Sequence, residues 1–212
     1  TDTTGWNSIT FRTNCAPYPA SALPLAEGFE TWPSISFDPC YTATHNSSTS
    51  HSWPSLSTSS YDASNGNKAV YLYAPATGYC WFALPAYEIA LNQLQVKFDC
   101  KILSRQLVVG AMSDPNDITT LDTIAILDNN DGEYHSYTLP LSIYEGTNNY
   151  LAFVVYGANG ERGNVYLDEL VLENLPACPD PINFAAVATG SETAVITYIA
   201  TSDIASYILE YD

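Results

Sequence analysis

A chain of 212 residues, 46% apolar and only 14% charged, is long enough to bury a real core and too apolar to stay disordered. Its formal charge of −17, from six basic against 23 acidic residues, repels phosphate backbones and anionic headgroups, which argues against nucleic-acid partners and membrane-surface roles. No stretch approaches the ~20 consecutive apolar residues needed to cross a bilayer, so membrane insertion is not expected.

Thr1-Asp2-Thr3-Thr4 brings neither an initiator Met nor a signal-like stretch, and is expected to be the interior of a longer secreted protein. Residues 15–25 hold three prolines and three alanines and read as a linker. Residues 43–60, rich in Ser and Thr around Trp53, read as a surface loop. Val70-Tyr71-Leu72-Tyr73 predicts a strand. Leu94, Val96, Phe98, Cys100 and Ile102 alternate with polar residues, the pattern of a half-buried strand. A polar Ser104-Arg105-Gln106 turn followed by Leu107-Val108-Val109-Gly110 predicts a hairpin partner for it.

Residues 114–121 allow one helical turn, and further strands are expected over 123–127, 134–139, 150–156 and 165–172. Asp128-Asn129-Asn130-Asp131-Gly132-Glu133 is a hairpin turn rather than a calcium loop, because its Gly arrives one position early and no bidentate acid follows. No stretch of helical length keeps a 3.6-residue apolar period. Leu175-Pro176-Ala177-Cys178-Pro179-Asp180-Pro181 marks a second border. Between the two borders lie about nine strands, the content of a two-sheet jelly roll. The fold class is all-β.

Five cysteines, an odd number with no CxxC pair, give no support to a zinc or redox centre and allow two disulfides at most. Cys100, on the apolar side of its strand, is expected as a buried thiol. His45 and His51 are expected to face solvent. No nucleophile, metalloprotease or phosphate-loop motif is present, and no acid pair is placed across a cleft, so no catalysis is expected.

Leu23-Pro24-Leu25-Ala26-Glu27-Gly28-Phe29-Glu30 resembles the opening strand of the cleaved-adhesin domains of gingipain haemagglutinin regions, within a wider group of MAM-like and carbohydrate-binding jelly rolls. Asp38-Pro39-Cys40-Tyr41, Asn65-Gly66-Asn67-Lys68-Ala69-Val70, Met112-Ser113-Asp114-Pro115-Asn116-Asp117 and Val165-Tyr166-Leu167-Asp168-Glu169-Leu170 follow in that family's order. Cys178-Pro179-Asp180-Pro181, Thr193 to Tyr198 and Ser206 to Tyr211 resemble the first strands of a fibronectin type III module, with Tyr198 where that family has Trp. Gly5 to Thr13 resembles the last strand of one. The expected organisation is a module end at 1–15, a linker at 16–25, a jelly roll at 26–175 and partial type III strands at 178–212.

Asp168 places a carboxylate on a strand face shared by alternation with Tyr166, Leu170 and Leu172, with no basic residue near it in sequence. It either faces solvent at a strand end or takes a counter-ion. The resemblance implies structural Ca2+, clamped by Glu30 and Asp168 and by the carbonyls of Gly28 and Lys68, a donor set of the kind calcium prefers. Trp53 and Trp81 are candidate ligand-binding aromatics, although Trp81 is equally placed to pack beneath the sandwich.

Asp2-Thr3-Thr4 and Asp122-Thr123-Ile124 resemble O-glycosylation sites of bacteria carrying such adhesins, and Asn46-Ser47-Ser48 is a formal sequon. The resemblance implies a non-catalytic binding or adhesion module of a bacterial surface or secreted protein. Its expected partners are a glycan, a host or matrix protein, and neighbouring modules of the same parent. A carbohydrate-binding accessory domain, or a self-assembling filament subunit, would leave the same residues.

Overall fold

In a computed structural model of the chain, residues 15–33, 36–46, 53–179, 182–190 and 192–199 are described. The strands anticipated over 5–13 and 206–211, His51, Asp2-Thr3-Thr4, and Ser47 and Ser48 of the sequon lie outside them. Among the described residues there is no α-helix, and the expected helical turn near 114–121 is a single 3-10 turn at Ile118–Thr120.

Two antiparallel sheets make the sandwich. The first contains β1 (Leu25–Glu27), β3 (Trp53–Ser57), β4 (Ala69–Ala74), β6 (Leu94–Ser104), β9 (Tyr134–Pro140) and β11 (Gly163–Asn174). Its order is β3-β4-β11-β6-β9, with β1 also paired to β11. The second sheet runs β2-β5-β10-β7-β8, from β2 (Thr42–His45), β5 (Gly78–Ala83), β7 (Leu107–Met112), β8 (Leu121–Leu127) and β10 (Tyr150–Gly157). A separate two-stranded ribbon pairs β12 (Ile182–Ala188) with β13 (Ala194–Ile199).

Alternation decides which side chains meet between the sheets. Val96, Phe98, Cys100 and Ile102 of β6 point inward, as do Leu107 and Val109 of β7 and Leu151, Phe153 and Val155 of β10. Phe82 on β5 lies among the rings of Phe29, Trp32, Phe37 and Tyr41, with centroids 5.4–6.3 Å away. Cys100 is buried as expected, and desolvation raises its thiol to about 12. One disulfide forms, Cys15–Cys40, tying the segment before β1 to the one before β2; Cys80 and Cys178 remain thiols alongside Cys100.

Three local expectations are corrected. β6 and β7 are not a hairpin, because the Ser104-Arg105-Gln106 turn carries the chain from one sheet to the other, with Arg105 at φ 69°. The 128–133 turn likewise joins β8 and β9 across the sheets instead of pairing them. Hydrophobic alternation reports which residues are buried, not which strand lies alongside. The supposed 43–60 loop contains β3 and most of β2, whose Ser and Thr residues form edge strands carrying little apolar signal.

Phe82→Ala should remove a ring from the centre of this aromatic cluster and lower stability by about 3–5 kcal/mol. Urea unfolding followed by tryptophan fluorescence measures it, and a loss under about 1 kcal/mol would contradict this packing.

Candidate functional site

β11 carries the sequence-predicted site. One edge pairs with β6 along its length. The other is shared, with Gly163–Leu167 pairing β4 and Leu170–Leu172 pairing β1. Asp168 and Glu169 sit where those two neighbours abut. A bulge falls there, with the β6 register shifting between Asp168 and Val171 and Glu169 at φ 47°. The bulge changes the strand's parity, so Val165 and Leu167 before it and Leu170 and Leu172 after it all enter the core. The expected apolar stripe is thereby corrected: Asp168 shares a face with Tyr166 but not with Leu170 or Leu172.

Asp168 is nevertheless wholly buried, at 0% exposure, because the segment before β4 folds over it. Its Oδ2 accepts the main-chain N–H groups of Ser64 and Asn65 at 2.9 and 3.2 Å, and its Oδ1 accepts that of Glu169 at 2.8 Å. Among the described residues no cationic side chain reaches it, since the ion pairs engage Glu173, Glu161 and Asp131 instead. Desolvation pushes its carboxyl up to about 6, against the pull of the three N–H donors.

Glu30 reaches the other end of the same loop. β1 ends at Glu27, and Phe29 turns the chain at φ 60°, so Glu30 projects from a turn rather than from an extended strand. Its Oε1 accepts the N–H groups of Asn67 and Lys68, both at 2.7 Å. Gly66, at φ 72°, packs so closely that a Cβ there would stand 2.5 Å from that oxygen. The Lys68 ammonium donates to the carbonyls of Glu30 and Trp32, each at 2.7 Å. Gly28 lies beside Glu169, whose Oε1 accepts the Asn65 amide at 3.3 Å and would be 3.0 Å from a Cβ on Gly28.

Loop 64–68 thus receives Asp168 and Glu169 at one end and Glu30 at the other. Among the described residues no three acidic, imidazole or thiol side chains close on one point, so an ion here would draw much of its shell from main-chain oxygens. Sequence reasoning missed Glu169, Ser64 and Asn65; the visible sign of the first was a second acid directly after Asp168.

Trp81 and Trp53 part company. Trp81 is 2% exposed on the outward side of the five-stranded sheet, where the 113–121 segment covers it and its indole N–H donates to the Pro115 carbonyl at 2.8 Å. Packing, the other place the sequence allowed it, is the one the structure shows. The main chain of Trp53 pairs with Tyr73 in β3, and its side chain lies outside the described residues.

The covering segment leaves part of that sheet face open. Trp81, Val154, Val108 and Ile126 form one cross-strand row, and Tyr79 lies opposite Tyr156 beside it. The rings of Tyr79 and Tyr156 are 6.0 Å apart and tilted by 41°. With Thr123 they bound a groove of about 420 Å³. Tyr156 is fixed from behind, its hydroxyl donating to Gln106 at 2.9 Å and the Arg105 guanidinium lying 5.3 Å over its ring. Beyond Gln106 opens a polar cleft of about 350 Å³, lined by Arg105, Asp128, Asn130 and Glu161.

The K1 cleaved adhesin domain of Lys-gingipain from Porphyromonas gingivalis superposes on 72% of this chain and 99% of its own, with a TM-score of 0.52 and 19% identity. The sandwich has the cleaved-adhesin fold. The K3 adhesin domain of the same protein gives 0.51 over 70% of this chain and 96% of its own, at 17% identity. An arabinose-bound α-L-arabinofuranosidase matches at 0.50 and 11% identity, over 71% of this chain and 26% of its own. No protein-family profile and no curated sequence matches the chain.

The folded-state value of Asp168 lies above its ordinary 3.8, so the folded chain holds that proton more tightly than the unfolded one. Its contribution to stability is present below about 3.8 and is lost as pH rises through about 6. With a chelator present, Asp168→Asn should therefore flatten the fall in melting temperature across that window. A wild-type profile flat from pH 4 to 7 would contradict the burial of this acid.

Proposed function

We propose that the chain is a non-catalytic extracellular binding module, with its ligand face on the five-stranded sheet and a structural calcium at the junction of β1, β4 and β11. One observation carries the binding role: an open groove on a rigid sheet face whose lining includes no carboxylate, imidazole or thiol. Such a surface holds a ligand without supplying a nucleophile or a general base. The Cys15–Cys40 disulfide supports an oxidising, extracellular setting. Among the described residues no helix is long and apolar enough to cross a membrane. The fold shared with the cleaved adhesin domains of Lys-gingipain agrees with this reading.

The calcium reading rests on chemistry at the junction. A wholly buried carboxylate without a cationic partner is costly, and a divalent ion removes that cost. Asp168 and Glu30 would hold it, with Glu169 at hand and carbonyls of the turn after β1 and of loop 64–68 completing the shell. The Glu30 and Trp32 carbonyls already converge on one cation, the Lys68 ammonium, which marks that turn as electronegative. Bound calcium supplies charge compensation and cross-links the strand ends.

Saturating calcium should raise the melting temperature above that in excess EGTA, by the equivalent of about 2.7 kcal/mol at a hundredfold excess over Kd. Asp168→Asn should abolish the difference. Identical melting curves with and without calcium would refute the metal site while leaving the binding face untouched.

A further inference from the structure

From the groove between Tyr79 and Ile126, and resting on the binding-module reading above, we infer that the ligand is a neutral oligosaccharide that lays a pyranose face against Tyr79 and Tyr156 and turns its hydroxyls toward Gln106 and Asn130. The groove is sharply divided. Its floor and one wall are aliphatic, from Val108, Val154 and Ile126, the last 54% exposed. Its other wall is the tyrosine pair, with Tyr79 40% exposed.

Past Tyr156 the surface changes to amide, guanidinium and carboxylate groups within the adjoining cleft. A ligand spanning both must be apolar on one face and rich in hydrogen-bonding groups along its edge. A sugar ring meets that requirement, because its axial C–H face stacks on an aromatic while its equatorial hydroxyls bond to side-chain amides. A flat aromatic ligand would leave the polar cleft unpaired, and a purely aliphatic one would bury it.

Charge narrows the class further. The groove itself is uncharged, whereas its polar end carries Asp128 and Glu161 against Arg105, and Arg105 is already engaged by Glu161 at 3.7 Å. The whole chain adds a net charge of −17. Sialylated, sulfated or uronic-acid sugars would meet repulsion at the end that must bond their edge, and neutral hexoses would not. The site is also preorganised, since Gln106 and Arg105 hold the Tyr156 ring and the sheet holds Tyr79, so little side-chain freedom is lost on binding.

A glycan array probed with the full chain, carrying neutral, sialylated and uronic-acid oligosaccharides, followed by calorimetry on the leading hits, tests the inference. Saturable binding of neutral oligosaccharides is expected, weakened about tenfold or more by Tyr79→Ala. Thr123→Lys, which obstructs the groove from an exposed position, should weaken it as well. Tyr61→Ala, at a tyrosine 90% exposed and outside the groove, should leave it unchanged.

Melting curves for each variant establish that the fold is intact. Selective binding of anionic sugars, or neutral-sugar binding indifferent to both groove variants, overturns the inference. Absence of sugar binding alongside a protein ligand blocked by Thr123→Lys overturns the sugar assignment and leaves the binding module standing. Absence of any groove-dependent ligand overturns both.

Discussion

The burial of one carboxylate organises this sandwich. Asp168 lies where β1 and β4 meet end to end along β11, and it draws loop 64–68 over itself through two main-chain hydrogen bonds. The bulge that puts it there is also what returns Leu170 and Leu172 to the core after Leu167. Had the strand run on in phase, Leu170 and Leu172 would have faced outward and Glu169 inward. The local strain of the positive φ at Glu169 is thus coupled to the packing of the last third of the strand.

The two outer faces of the sandwich differ in finish. On the six-stranded side, Tyr71 stacks on Tyr166 at 4.8 Å, and the Lys101 ammonium stands 5.0 Å from the rings of both Tyr166 and Tyr134. The same ammonium donates to the Tyr61 carbonyl, and the Tyr134 hydroxyl donates to that of Asp62. These contacts clamp the 59–68 segment onto the sheet and consume the aromatic surface in doing so. On the five-stranded side the 113–121 segment covers Trp81 and Met112 but stops short of Tyr79 and Ile126. One face is closed by its own loop, and the other keeps an open groove.

The all-β class and most strands were legible because β6 alternates apolar with polar residues and β4, β10 and β11 carry short runs rich in β-branched and aromatic residues. The resemblance to cleaved-adhesin domains pointed to the architecture that the solved adhesin domains share. Pairing was not legible, because Arg105 and the 128–133 turn give the same local signal whether the chain returns to its own sheet or crosses to the other. β3 was missed because Ser55 and Ser57 carry none of the apolar weight that marks a strand. At the junction, the acids Glu30 and Asp168 were visible as residues, but the bulge and the turn at Phe29 that aim them depend on backbone angles that no pattern of side chains announces. Trp81 shows the limit for aromatics: its identity is equally compatible with a binding platform and with a wedge, and only the position of Pro115 decides between them.

The central place of β11 bears on how the molecule is made. The strand that β1, β4 and β6 all require as a neighbour is the last of the sandwich to leave the ribosome. Until it arrives, β4 and β6 have no common partner, and β1 has nothing to pair with. Completion of the larger sheet therefore waits for β11 and is slowed by loop closure over nearly the whole domain. During synthesis its half-built edges stand exposed, a hazard that a chaperone would have to cover.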